Sequence, residues 1–200
     1  MTHEPRHAPA TLRNRDAITA VLTEILPASG TVLEIASGTG EHAVYFGQQF
    51  PGVQFQPSDP DPANLSSITA WIDKEGTGNV LPPVDLDTCA PDWNIEQPAA
   101  ILCINMIHIA PWEAAIGLFE KAAQLLPADA PLFLYGPYFR DDLETAASNL
   151  AFDRSLKSRN LQWGIREVKD MDGLAERNGF QRSSLIEMPA NNVSLIYRKL

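Results

Sequence analysis

Val32-Leu33-Glu34-Ile35-Ala36-Ser37-Gly38-Thr39-Gly40-Glu41-His42-Ala43-Val44-Tyr45-Phe46 decides how this chain folds. An apolar run with one acid inside it, Val32 to Ala36, meets a turn of small residues, Ser37 to Gly40, and a helical pattern starts at Glu41. A strand ends, the backbone turns with almost no side chain in the way, and a helix begins. Such a turn lets a ligand approach the main chain and sets the free N–H groups of the helix beside it. The stretch therefore predicts a loop that holds a nucleoside cofactor.

Working outward, residues 1–10 read as a loose polar arm, and Leu12, Ile18, Val21, Leu22, Ile25 and Leu26 then fall on one helical face. Pro27 and Gly30 close that helix, and the first strand is expected at Thr31 to Ala36. A helix over Glu41 to Gln49 leads to a second strand, Val53 to Pro57, with Ser58-Asp59 at its end. Asp61-Pro62 opens the next helix, an aspartate cap followed by a proline at the first helical position. Asn79 to Val84 is a weak strand interrupted by Pro82-Pro83, with Asp85-Leu86-Asp87 in the loop after it. Ala99 to Asn105 reads as a strand covered on both faces, Pro111 to Leu126 as a helix, and Pro131 to Tyr135 as the fifth strand. Helical patterns follow over Asp142 to Arg159 and Lys169 to Asn178, with Gly179 as a cap. Ser183 to Glu187 and Val193 to Arg198 are strands with no helix between them, so they form an antiparallel pair. The expected class is α/β, doubly wound: a mainly parallel seven-stranded sheet, helices on both faces and an antiparallel last strand.

Two hundred residues bound one domain, residues 1–200, with residues 136–180 expected to cover the substrate. A formal charge of −10 argues against a nucleic-acid-coating role, which needs a basic face. Cys89 and Cys103 make no metal or redox spacing, so no metal is expected and the thiols read as reduced and structural. No leader-like apolar core is seen at the N-terminus, and the apolar run Ala99 to Ile109 is too short to span a bilayer. A cytoplasmic protein acting on a small molecule, with no nucleic-acid or membrane partner, is the expectation.

The spacing Gly38-x-Gly40-x-x-Ala43 is compatible with a dinucleotide fingerprint, G-x-G-x-x-G/A. Two features point elsewhere. Glu34 inside the strand suits an ammonium-bearing ligand better than a pyrophosphate, and no Arg or Lys lies near the loop to seek phosphate. At Glu34-Ile35-Ala36-Ser37-Gly38-Thr39-Gly40-Glu41-His42 the chain resembles the first motif of class I S-adenosylmethionine-dependent methyltransferases. The stretches N-M-I-H-I-A-P-W, L-Y-G-P-Y, S-N-L-A-F-D, W-G-I-R and M-P-A-N-N resemble one uncharacterised methyltransferase-like family, known as a domain of unknown function. The resemblance implies S-adenosyl-L-methionine as cofactor. Its methionine part would meet Glu34, Ala36, Ser37, Gly38 and Gly40; its ribose Asp59; its adenine Asp85-Leu86, with Asp87 the competing acid. Asn105 would close the cofactor side at the end of the fourth strand.

Each candidate has a plainer reading. Glu34 could be a strand-end acid, the glycines a simple turn, and Asp59 a helix cap, although Asp61 is the better cap. His42 either contacts the cofactor or sits at the surface. His108 and Tyr138 are the candidate catalytic residues, His108 as a general base whose ordinary pKa is suitable or as a structural histidine. Tyr135, Arg140, Asn149, Arg154 and Arg166 are the candidate substrate residues, offering aromatic and cationic groups to a small anionic acceptor, with a solvated helix face as the alternative for Arg154. Asn14 and Arg15 are positioned to fold over the cofactor as a lid. The expected reaction is methyl transfer to a small molecule; the rival readings are an NAD(P)-dependent reductase and a non-catalytic cofactor-binding regulator.

Overall fold

β1 (Thr31–Ile35) is an interior strand of a seven-stranded sheet, because its apolar residues can be covered from both sides. The computed structural model describes residues 4–200. In chain order, α1 (Pro9–Ile25) precedes β1, and α2 (Glu41–Gln49), β2 (Gln54–Asp59), α3 (Pro62–Glu75) and β3 (Val84–Asp85) follow it. Next come β4 (Ala100–Ile104), α4 (Trp112–Leu125), β5 (Pro131–Gly136), β6 (Tyr138–Phe139), α5 (Ala147–Arg159) and β7 (Arg166–Glu167). The chain closes with α6 (Val168–Arg177), β8 (Phe180–Met188) and β9 (Asn192–Lys199). The sheet order is β3-β2-β1-β4-β5-β9-β8. β1 to β5 run parallel, while β9 pairs antiparallel with both β5 and β8.

Alternation along the strands sorts side chains into two cores. Val32, Leu102, Phe133 and Tyr135 face the layer of α1 and α2, which contributes Ile18, Leu22, Ala43 and Phe46. Leu33, Ile35, Ile101, Cys103 and Leu134 face the layer of α4 and α6, with Leu118, Phe119, Met171 and Leu174. The strand order reverses between β1 and β4, so their carboxyl ends open onto the crevice where such sheets bind ligands.

Several expectations need correction. Pairing over Asn79 to Val84 is reduced to a single bridge, Phe55 with Val80; the prolines lack the N–H a longer strand requires, and β3 forms instead at Val84–Asp85, taking Asp85 out of the expected loop. The helix expected from Asp142 begins at Ala147, because Asp142 and Asp141 are held in ion pairs by Arg140 and Lys169. β6 and β7 form a small parallel pair that the sequence does not suggest. Residues 136–180 are not one cover, since α6 packs under the sheet. Part of the arm over residues 1–10 lies outside the described residues. From Arg6 it is fastened rather than loose: Arg6 N donates to Ser67 Oγ (2.9 Å), Trp71 Nε1 donates to the Arg6 carbonyl (2.8 Å), and Ala8 N donates to Glu41 Oε2 (3.2 Å).

Candidate functional site

The turn after β1 is bound tightly to β2. Ser37 N donates to the Ser58 carbonyl (2.8 Å), Ser58 Oγ to the Glu34 carbonyl (2.7 Å), and Gly38 N to Asp59 Oδ2 (2.9 Å). Ala36, Gly38 and Gly40 all have left-handed backbone, with φ of 53°, 58° and 88°. The two glycines differ in surroundings. A Cβ on Gly40 would lie 2.7 Å from Ile68 Cα, so its bareness lets α2 approach α3; a Cβ on Gly38 would meet nothing within 4 Å. Open space beside bare backbone is what a ligand cradle needs.

Glu34 lies under this turn and is 1% exposed. Among the described residues its Oε2 has no hydrogen-bond partner. Burial pushes its carboxyl up to about 7, opposed by Ser37 and reinforced by the negative charge of Asp59. A buried carboxylate with an unfilled acceptor is costly unless a cation meets it.

Asp59 is buried at the end of β2, and its Oδ1 accepts from Asp61 N (2.9 Å) and Asn64 Nδ2 (3.0 Å). With the bond from Gly38, three of about four lone-pair sites are used, so room for one further donor remains. Asp61 caps α3, accepting from Ala63 N. Asp87 accepts from Cys89 N, while exposed Asp85 lies level with Asp59 and has no side-chain hydrogen bond among the described residues; Leu86 is buried in the core.

His42 is buried rather than at the surface, and it joins two helices. Its Nε2 is 2.9 Å from Asn14 Oδ1, its ring stacks on Phe46, and burial together with Arg15 pushes its pKa down to about 4.

A second region, an open cavity of about 670 Å³, lies beyond β4 and β5. Asn105 has left-handed backbone (φ 61°), which asparagine tolerates, and its N–H donates to the Tyr135 carbonyl (2.9 Å). His108 packs on Gly136, where a Cβ would lie 3.2 Å from Nδ1. Burial, then the nearby Arg166 guanidinium, pushes His108 down to about 4, well below the range assumed for a general base. Tyr135 and Asn149 line the cavity as expected, and Asn149 also donates to the Asn191 carbonyl (2.9 Å).

Tyr138 and Arg140 border a neighbouring pocket that Asn149 also lines, rather than this cavity, and Arg154 and Arg166 line neither. Tyr138 packs its ring in the opposite core beside Cys103, has a buried hydroxyl with no partner among the described residues, and has its pKa raised well above the ordinary value by burial; it is not placed to take a proton in this cavity. Arg140 is engaged by Asp142 (2.6 Å) and Glu187 (3.2 Å). Arg166 donates to the carbonyls of Ala110 and Gln162 and lies over Trp112, which straps two loops together. Arg154 is exposed, whereas Asn149 and Asp153 on the same helix are buried. Arg15 stacks over Tyr45, so Asn14 and Arg13 are the residues that α1 presents to the cavity. Arg13, Ile109 and Phe152 are among the lining residues that the sequence did not single out. Spacing from residues already singled out was the available signal, since Arg13 adjoins Asn14 and Phe152 lies three residues after Asn149 on the same helix.

Among the described residues no cluster of three His, Cys, Asp or Glu side chains could hold a metal ion, and no helix is long and apolar enough to cross a membrane. Residues 5–199 match the family described as protein of unknown function (DUF938). The chain belongs to this family. Its fold is that of the class I methyltransferases. The mitomycin 7-O-methyltransferase MmcR superposes with a TM-score of 0.81 at 15% identity, over 96% of this chain and 54% of that one. CalO1, a methyltransferase of calicheamicin biosynthesis solved in its SAH-bound form, gives 0.71 at 13% identity, over 92% and 55%. An O-methyltransferase family 2 protein from Planctomyces limnophilus, in complex with apigenin, gives 0.74 at 18% identity, over 93% and 61%. This DUF938 chain spans a little over half the length of these structures.

Proposed function

We propose that this chain transfers a methyl group from S-adenosylmethionine to a small-molecule acceptor. The carrying observation is Glu34, a buried carboxylate with an unfilled oxygen beneath a glycine turn that leaves room for a ligand. The residues present fit the cofactor. Glu34 would take its ammonium group, the open face of Gly38 its methionine part, the remaining acceptor site of Asp59 a ribose hydroxyl, and Asp85 the adenine edge. When bound, S-adenosylmethionine supplies an electrophilic methyl on a sulfonium, so the protein chiefly aligns and shields. Asn105 lines the cavity, Gly136 packs beside Asn105 and His108, and Ile109 and Phe152 give the acceptor an apolar surface. The match with fold neighbours named as O-methyltransferases supports this reading.

Calorimetry with S-adenosylmethionine, S-adenosylhomocysteine and NAD(H) tests it. Binding of the first two, weakened at least tenfold in Glu34→Gln, is expected. Preference for NAD(H), as the reductase rival requires, would overturn it.

A further inference from the structure

The acceptor cavity differs in charge from the rest of the molecule. The chain carries 25 Asp and Glu against 15 Lys and Arg, yet among the described residues no carboxylate lines this cavity. Arg13, an exposed residue, lines it from α1, and Arg166, which has Asp153 and Glu113 nearby, stands close enough to His108 to disfavour protonation of the imidazole. An amine acceptor, cationic at neutral pH, would enter against this field with no counter-charge to meet it.

The cavity also lacks a good base. Among the described residues its titratable wall groups are Arg13, His108 and Tyr135. His108 is pushed down to about 4, and Tyr135 is raised by burial, partly offset by Asn14, Arg13 and Asn192. Moving a proton from an ordinary phenol, with a pKa of about 10, onto such an imidazole is disfavoured about a millionfold. An acceptor that is already an anion needs no such transfer. The remaining wall is apolar, with Ile109, Pro137, Phe152 and Pro189, and the Phe152 ring lies edge-on to His108 at 5.5 Å.

We infer that the acceptor is an organic carboxylate with a flat apolar body, that Arg13 binds it, and that one of its carboxylate oxygens receives the methyl group. This rests on the methyl-transfer reading. One oxygen supplies the electron pair of the new C–O bond as the C–S bond of S-adenosylmethionine breaks with its pair left on sulfur. Anion and sulfonium become a neutral methyl ester and a neutral thioether, and no proton moves. Neutral His108 has one N–H to offer the second oxygen.

The test is calorimetry on the protein loaded with S-adenosylhomocysteine, using benzoate, phenylacetate, cinnamate, 2-naphthoate and indole-3-acetate, each against its primary amide. At least one carboxylate is expected to bind tenfold or more tighter than its amide, and Arg13→Gln is expected to remove that preference while S-adenosylhomocysteine affinity stays unchanged. Methyl label carried to that carboxylate from S-adenosylmethionine is expected to be base-labile, as esters are, with a rate that is flat between pH 6.5 and 8.5 when S-adenosylmethionine is saturating at each pH. No tenfold preference on any skeleton, a preference that survives in Arg13→Gln, or base-stable label with a rate rising with pH would overturn the inference alone. Failure of S-adenosylhomocysteine to bind at all would overturn the methyl-transfer reading beneath it.

Discussion

Glu34 is ionisable in the working range only because the fold buries it beside Asp59. A cationic ligand group binds the ionised form, so binding must displace the proton held below about pH 7. Affinity for S-adenosylhomocysteine should fall as pH drops from 7.5 to 5.5, approaching about tenfold per unit at the acid end. The Glu34→Gln variant should bind weakly with a flat profile; an equally steep profile would assign the proton to another group. Glu34 was legible in the sequence because an acid inside an apolar strand stands out. His42 was not, because its partner Asn14 lies 28 residues away on another helix. Tyr138 was misassigned because position after a strand does not tell which face of the sheet a side chain takes.

At the scale of elements, the two glycines of the turn should separate stability from binding. Gly40→Ala drives a Cβ into α3 and strains a left-handed residue, so it should cost roughly 2–4 kcal/mol of stability. Gly38→Ala carries only the backbone strain, roughly 1 kcal/mol, but fills the ligand's space. Denaturant midpoints and S-adenosylhomocysteine affinity, measured on both, check this: near-normal stability with lost binding is expected only for Gly38→Ala. The sheet itself was legible because alternating helices and apolar runs leave few topologies, and the helix-less final pair fixes its antiparallel end. The late start of α5 and the β6–β7 pair were not, because ion pairs from Arg140 and Lys169 to neighbouring aspartates override local helical preference.

For the whole molecule, three buried groups set opposing pH dependences. His42 and His108 titrate near 4 in the folded chain and near 6.5 when unfolded, so between these values the unfolded state binds more protons and stability falls as pH falls. Glu34, raised from 4.5 to about 7, acts in the reverse sense: its contribution is full below 4.5 and lost as pH rises through 7. Two histidines outweigh one glutamate, so urea midpoints should level off at about pH 7 and decline toward 4.5. Glu34→Gln should steepen the acid decline. A wild-type profile without the acid decline would contradict burial of the two neutral imidazoles.

The central claim, that a buried Glu34 receives the ammonium end of S-adenosylmethionine, is tested most directly by titrating S-adenosylhomocysteine at pH 6.5 in two buffers of different ionisation enthalpy. The account predicts binding with net proton release in the wild type and none in Glu34→Gln. Binding with no proton released in either protein, or no binding in the wild type, would contradict it.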